Sequence, residues 1–287
     1  MPVQSASAPS GGTLFIVATP IGNLEDLSPR AQRTLAEVAA VCAEDTRHTR
    51  RLLGHYGIDA ELVALHEHNE QALAVRLVQR LQAGESLALV SDAGTPLVSD
   101  PGFRLVAAAR AAGIRVSPVP GPSALIAALS VAGLPSDRFA FEGFLPAKAA
   151  ARREHLQKLA GESRTLLFYE SSHRIVDTLE DMVVAFGSER RAVLARELTK
   201  LFETVLDGSL EALRDRVQAD ADQRKGEFVL VVEGAGDDAD AALAEGRRVY
   251  ALLSSHLPPS AAARLAAEIT GAPRKALYAS GQSSTDG

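Results

Sequence analysis

The stretch LALVSDAGTPLVSDPG occupies residues 87–102 and joins an apolar run to two turn-forming segments. Its start, Leu87–Ser91, predicts a buried strand, because short apolar runs bounded by turn residues are typical of parallel sheets. Similar strands are predicted at Thr13–Ala18, Ala40–Glu44, Leu62–Leu65 and Arg115–Val119. Helical patterns lie between them, the clearest over Asn69–Gly84. Alternating strands and helices predict an α/β layer with parallel strands.

A second α/β series is predicted from Phe139 onward. Its strands are expected at Phe139–Phe144, Thr165–Glu170, Arg191–Ala195, Thr204–Leu206 and Glu227–Val232. Beyond Asp237 the chain is acidic and Ala-rich, and two helical patterns flank Gly271. These predict either a helix-turn-helix or a plain helical hairpin. The predicted organisation is a disordered tail (1–11), an N-terminal α/β domain (12–124), a second α/β domain (125–235) and a C-terminal helical module (240–283).

Composition limits the class of protein. The chain has 287 residues, 46% of them hydrophobic and 23% charged, with a net charge of −6. No apolar run approaches the roughly 18–20 residues of a membrane span, and the first basic residue is Arg30, unlike the charged start of a signal peptide. Cys42 is the single cysteine, and His66 and His68 lack partners at zinc spacing. We therefore expect a cytoplasmic protein without membrane contact, disulfide or metal. The net charge does not favour nucleic-acid binding, although arginines cluster locally.

Four loops rich in Gly, Pro, Asp and Ser follow the predicted strands. They are Thr19–Asn23, Ser91–Pro96, Ser99–Gly102 and Pro120–Ser123. In an open parallel sheet, ligands lie beyond the carboxyl ends of the strands, where glycines let the backbone approach a ligand. Ordinary turns use the same residue types. Several such loops in one half of the chain nevertheless favour a small-molecule site in a cleft between the two halves.

Six motifs carry a resemblance to a known family. They are GTLFIVATPIGNL (12–24), EDTRHT (44–49), VSDAGTPLVSDPG (90–102), FYESSHR (168–174), ARELTK (195–200) and KGEF (225–228). In this order they resemble the ribosomal RNA small-subunit methyltransferase I family of the tetrapyrrole-methylase superfamily. The resemblance spans about residues 12–280 and leaves the N-terminal tail unmatched.

The resemblance implies a fold, a cofactor and a reaction. Two unequal α/β domains would hold S-adenosylmethionine in the cleft between them, and the protein would be a homodimer. The reaction would be methylation of the ribose 2′-oxygen of cytidine 1402, in the decoding centre of 16S rRNA in the small ribosomal subunit. The cofactor-binding residues implied are Pro20, Gly22, Ser91, Asp92, Ala93, Gly94, Thr95, Pro96, Leu97, Val98, Ser123, Ala124, Tyr169, Gly226, Glu227 and Phe228.

Acid–base and RNA-contacting residues are expected within the same motifs. A base near the hydroxyl would accelerate transfer by roughly 10²–10⁴, and the candidates are Asp45, His48, Glu170 and Glu197. An ion pair, of Glu170 with Arg174 and of Glu197 with Lys200, is as well supported by the sequence as a catalytic role. Candidates for phosphate contacts are Arg47, His48, Arg51, Arg174, Arg196 and Lys200, each of which could instead be an ordinary surface residue.

Three other functions are alternatives at the level of the sequence. A tetrapyrrole methyltransferase would share the fold, but the C-terminal module and the Arg/His-rich segment Asp45–Arg51 favour RNA. A non-catalytic RNA-binding module would not need so many Gly/Pro loops at strand ends. A nucleotide hydrolase is disfavoured because the chain has no phosphate-binding loop of the G-x-x-x-x-G-K-[ST] type.

Overall fold

The structure, a computed structural model, describes residues 11–66, 68–236 and 239–277. Residues 1–10 of the predicted tail and residues 278–283 of the predicted C-terminal module lie outside this range. The strands are β1 (Thr13–Val17), β2 (Ala40–Ala43), β3 (Leu62–Ala64), β4 (Leu87–Leu89), β5 (Arg115–Val119), β6 (Phe139–Phe144), β7 (Thr165–Ser171), β8 (Arg191–Arg196), β9 (Thr204–Ser209) and β10 (Glu227–Val232). The helices are α1 (Pro29–Glu37), α2 (Thr46–His55), α3 (Glu70–Gln82), α4 (Phe103–Ala111), α5 (Ala124–Val131), α6 (Ala149–Leu159), α7 (Ile175–Phe186), α8 (Leu210–Ala219), α9 (Ala239–Ser254) and α10 (Pro259–Thr270).

The first sheet is parallel throughout, with the strand order β3-β2-β4-β1-β5. The prediction of a parallel α/β layer is therefore confirmed. Neighbouring residues of one strand enter different cores: Leu87 and Leu89 of β4 pack in one cluster, whereas Ala88 packs in another. Burial on both faces explains why these strands are short continuous apolar runs in the sequence.

Side-chain caps set where the helices of this half begin. Ser28 Oγ accepts a hydrogen bond from Ala31 N at 3.1 Å, which begins α1 with Pro29 at the first helical position. Asn69 occupies the N-cap position of α3, but its side chain accepts from His66 N instead of capping the helix. The buried Glu70 turns outward from α3 and accepts from the backbone amides of Arg104 and Leu105, so its carboxylate caps α4.

The second sheet is mixed, with the order β6-β7-β10-β8-β9. Only the β6–β7 pair is parallel, and the other three pairs are antiparallel. Helices α6, α7 and α8 cover one face, and α5 packs on the other beside Leu167 and Val229. The register between β6 and β7 shifts at Phe141–Gly143, where Glu142 is an extra residue and Gly143 has a φ of +66°.

Residues 161–164, 234–236 and 239–277 belong to a separate compact unit. In it α9 begins at Ala239 and packs against α10 through a core that includes Ala263 and Ala266. Gly271 ends α10 in the left-handed conformation, as expected of a glycine C-cap. Among the helices described, none has the length and apolarity to cross a bilayer.

Candidate functional site

A cavity of about 500 Å³ lies where the loops of the first sheet meet strand ends of the second. This volume is in the range of small-molecule and cofactor sites. Eleven of the predicted cofactor residues line it: Asp92, Ala93, Gly94, Thr95, Val98, Ser123, Ala124, Tyr169, Gly226, Glu227 and Phe228. Five do not line it: Pro20, Gly22, Ser91, Pro96 and Leu97. The loops at the ends of β4 and β5 therefore meet the second half as the sequence predicts.

The residues behind the wall hold its backbone in place. Thr19 and Gly94 exchange two backbone hydrogen bonds, at 2.9 and 3.1 Å. The hydroxyls of Thr19 and Ser91 both bond to backbone carbonyls of the same loop, at 3.2 Å each. Thr95 Oγ1 donates to Pro122 O at 2.9 Å and so joins the β4 loop to the β5 loop. Ser91, predicted to bind the cofactor, instead supports the loop that does line the cavity.

Aromatic side chains supply the apolar wall of the second half. The Tyr169 ring lies 4.8 Å from that of Phe141 and 5.6 Å from that of Phe144, both edge to face. The Tyr169 hydroxyl accepts a hydrogen bond from Leu125 N at 3.3 Å. Burial raises the pKa of Tyr169. This wall is suited to a flat heteroaromatic group with few charges.

Three carboxylates, Glu44, Asp92 and Asp100, give the cavity an excess of negative charge. Burial raises the pKa of Asp100 to about 6, against a hydrogen bond from Ser91, and the charges of Glu44 and Asp92 add to the effect. Desolvation and the neighbouring Asp92 also raise the pKa of Glu44. Within the described part of the chain, no salt bridge reaches these three groups, and no set of side chains could hold a metal ion.

This arrangement fits S-adenosylmethionine. That molecule carries a sulfonium and an ammonium, which would relieve the repulsion among the three acids, and an adenine, which suits the aromatic wall. Gly94 has a φ of +83°, and a Cβ there would lie 3.3 Å from Ile21. Because Gly94 has no side chain, its backbone is open to the cavity, as a close contact with a ligand requires.

The glutamates among the acid–base candidates are engaged in bonds within the protein. The Glu170 side chain is completely buried and accepts from Arg174 Nη2 at 2.9 Å, Thr178 Oγ1 at 2.7 Å and Ser171 N at 2.8 Å. Glu197 accepts from Lys200 Nζ at 2.8 Å and from Glu227 N at 3.0 Å. Partial burial opposes ionisation of Glu197, but these hydrogen bonds lower its pKa overall. The geometry favours the ion-pair interpretation for both.

Asp45 and His48 lie at the start of α2, beside Glu44. Asp45 caps α2 through Arg47 N at 2.8 Å, and the Arg47 guanidinium holds the pKa of this carboxyl well below its usual range. His48 is exposed, and its side chain makes no hydrogen bond or ion pair in the described ranges. Neither residue lines the cavity.

The six cations predicted to contact RNA fall into two groups. Arg47, His48 and Arg51 are exposed on α2. The other three are engaged within the protein: Arg174 with Glu170, Arg196 with the carbonyls of Lys225 and Phe202, and Lys200 with two glutamates. The α2 group is the more accessible to a phosphate, although Arg47 is paired with Asp45 at 2.7 Å.

Several lining residues were missed from the sequence. They are Ile21, Glu44, Ser99, Asp100, Phe144, Ser171, Ser172, Ala195, Leu198 and Val229. Three of them, Glu44, Ser99 and Asp100, lie in the motifs described above. The sequence did not show that the fold brings these three residues to the wall of the same cavity. Leu97 and Ser99 also have φ angles of 73° and 68°, a conformation that non-glycine residues keep mainly at functional sites.

Comparisons with known proteins agree with this geometry. Residues 13–214 match the family described as Tetrapyrrole (Corrin/Porphyrin) Methylases, and residues 240–282 match the RsmI C-terminal HTH domain. Ribosomal RNA small subunit methyltransferase I of Xylella fastidiosa (strain Temecula1) is 70% identical, covering 93% of this chain and 98% of its own. This chain belongs to the ribosomal RNA small subunit methyltransferase I family. The Pseudomonas aeruginosa member is 60% identical over 94% of this chain and 96% of its own.

Membership of the ribosomal RNA small subunit methyltransferase I family makes this chain an S-adenosylmethionine-dependent methyltransferase. The solved uroporphyrin-III-C-methyltransferase of Thermus thermophilus is 24% identical, with a TM-score of 0.53, covering 77% of this chain and 94% of that one. At that identity the likeness shows the fold alone. The expected fold class, a tetrapyrrole-methylase-like α/β protein with a C-terminal helical module, is confirmed.

Proposed function

We propose that this protein methylates 16S rRNA in the small ribosomal subunit, on the ribose 2′-oxygen of cytidine 1402 in the decoding centre. The observation that carries the proposal is the high identity, along nearly the whole chain, to relatives named ribosomal RNA small subunit methyltransferase I. The acidic cavity with an aromatic wall supports it, because a cationic methyl donor fits there.

The cavity residues hold the donor and shield it from water. The loop Asp92–Thr95 offers backbone amides at a strand end. Tyr169 and Phe144 are placed to cover a flat ring, while Glu44 and Asp100 balance positive charge. S-adenosylmethionine supplies an electrophilic methyl group on sulfur. In-line transfer needs donor and acceptor held in alignment, which the rigid walls of this cavity can provide.

The acceptor hydroxyl must lose its proton, and His48 is the least engaged of the four acid–base candidates, although it does not line the cavity. Unlike Glu170 and Glu197, its side chain makes no bond in the described ranges. It lies in the first turn of α2, a helix that begins two residues after the cavity residue Glu44. Substitution of His48 by alanine should lower kcat more than it raises KM for small subunits. An increase in KM alone would assign His48 to RNA binding.

Phosphate contacts are proposed for the exposed arginines of α2. Arg47 and Arg51 lie on the helix that begins beside Glu44. Each phosphate contact releases about one counterion, so its loss lowers the slope of log affinity against log salt by about 1. Replacing Arg51 by glutamine should therefore weaken small-subunit binding most at low salt. An unchanged slope would remove Arg51 from the RNA-binding surface.

The decisive experiment uses isotopically labelled S-adenosylmethionine with purified small ribosomal subunits, followed by mass spectrometry of the digested rRNA. The expected product is one 2′-O-methylcytidine, mapped to position 1402. Methylation of a porphyrinoid in a parallel incubation, with none on RNA, would favour the tetrapyrrole alternative. RNA binding without cofactor binding would favour the non-catalytic alternative. Light scattering of the purified protein tests the proposed homodimer.

A further inference from the structure

Two large apolar side chains project from the turn between β8 and β9. Leu201 is 90% exposed and Phe202 is 67% exposed, and they are adjacent in the sequence. We name this pair the apolar tip. Single exposed apolar residues are ordinary on protein surfaces, whereas neighbouring ones form an apolar patch that can bind a partner.

The turn that carries the apolar tip is held firmly by its own hydrogen bonds. Thr199 N donates to Glu203 Oε2 at 2.6 Å, and Glu203 N donates to Lys200 O at 3.1 Å. The buried Arg196 donates to Phe202 O at 3.1 Å, which fixes the backbone beneath the tip. A turn ordered in this way loses little entropy when a partner binds.

Backbone strain in the same turn points to a constraint beyond folding. Glu197 and Thr199 have φ angles of +50° and +67°, which are uncommon for residues with a side chain. Strain of this kind persists where the surrounding structure enforces it, often at ligand-binding segments. Its effect here is to turn Leu198 inward to the cavity while Leu201 points to solvent.

The turn adjoins the cofactor cavity directly. Leu198 and Lys200 both line that cavity. A Cβ on Gly22 would lie 2.4 Å from Lys200 Cγ, so the turn also packs against the first loop of the other half. The apolar tip therefore lies within a few residues of the cavity in which the proposed methyl donor would bind.

The charges around the tip favour a base over a phosphate. Lys200 is neutralised by Glu197 and Glu227, both at 2.8 Å, and Glu203 adds a further negative charge to the turn. The two cations named for this turn, Arg196 and Lys200, are both bonded within the protein, so neither is available for a phosphate. An aromatic side chain beside a leucine is instead the surface on which unstacked nucleobases pack.

We infer that the apolar tip stacks on a nucleobase next to the methylated nucleotide and so holds that nucleotide out of the helical stack. This inference rests on the proposed function, because it takes RNA as the substrate. Phe202 provides the flat face and Leu201 fills the space beside it. The tip positions the acceptor ribose and takes no part in proton or methyl transfer.

The test compares F202A, F202W and L201A with the wild type in steady-state methylation of small ribosomal subunits. F202A should raise KM about 10–100-fold, as expected for loss of one stacked base. F202W should stay near the wild type because it keeps a stacking face. V184A is the matched control, since Val184 is 73% exposed on α7. Its KM should not change.

Two further measurements separate the possible outcomes. Calorimetric affinity for S-adenosylmethionine and molecular mass in solution should be the same in F202A and the wild type. A change in mass would mean that a second copy of the chain covers the tip, and the inference would be wrong. An active wild type with an equally active F202A overturns this inference alone. A wild type that transfers no methyl to small subunits overturns the proposed function as well.

Discussion

Asp100 is the residue at which stability and cofactor binding should oppose each other. Its folded pKa of about 6 lies above the ordinary 3.8, so the folded protein holds the proton more tightly than the unfolded chain. The ionised carboxylate therefore costs stability, fully above pH 6 and not at all below about 3.8. A rise of this size corresponds to about 3 kcal/mol. Because Asp100 is only half-buried, we expect about 1 kcal/mol after solvent screening.

Replacing Asp100 by asparagine removes this cost and the charge together. In urea unfolding without cofactor, D100N should be about 1 kcal/mol more stable than the wild type at pH 7.5, and nearly equal to it at pH 4. Its affinity for S-adenosylmethionine at pH 7.5 should fall about 5–10-fold, because one charge opposite the cation is lost. For the wild type, the affinity should decrease as the pH falls through 6.

The control for this experiment is D59N, because Asp59 is exposed and remote from the cavity lining. Neither its stability nor its cofactor affinity should change. The reasoning is refuted if D100N is less stable than the wild type at pH 7.5. It is also refuted if the stability difference is as large at pH 4 as at pH 7.5, since ionisation would then play no part.

Three further perturbations test other parts of the structure. Replacing Glu170 by alanine should cost about 3 kcal/mol in urea unfolding, because Arg174 loses a buried partner; a loss below about 1 kcal/mol would contradict this. Replacing Gly226 by alanine should weaken cofactor binding in calorimetry, because the φ is +98° and the new Cβ would meet Glu197 at 2.5 Å; unchanged affinity would show that Glu197 moves freely. Cys42 is buried, and burial raises its thiol pKa to about 12, so a thiol reagent should label it only after unfolding.

The first half of the fold was predictable because its strands are recognisable in the sequence as short apolar runs. Runs such as Leu87–Leu89 are buried on both faces, so each appears as an apolar segment between turn residues. The strands and helices of the second half were predicted from the sequence, but the relative direction of its paired strands was not. The run Phe228–Val232 is continuous and apolar like a parallel strand, because both its faces are buried, yet it pairs antiparallel with β7 and β8.

The parts of the candidate site that lie on loops after single strands were predictable from the sequence. The parts that form only when residues from different strands come together in the fold were not. The segment Asp92–Thr95 follows a strand end, so a rule about sheet edges finds it. Asp100 was missed because its raised pKa comes mainly from burial in the folded cavity, to which the charge of Glu44 from another strand end adds. Glu170 was named as an acid–base candidate because its neighbours along the chain suit ionisation. The bond from Thr178 that completes its burial needs the folded helix α7.

The extra residue in β6 determines which side of the sheet Phe144 reaches. Side chains three positions apart in a regular strand point in opposite directions, yet Phe141 and Phe144 both touch Tyr169. Glu142 makes this possible by shifting the register by one. Deleting Glu142 would restore strict alternation and rotate the second phenylalanine away from the ligand, although every hydrophobic residue remained. Strand β6 should therefore tolerate many substitutions but almost no insertion or deletion.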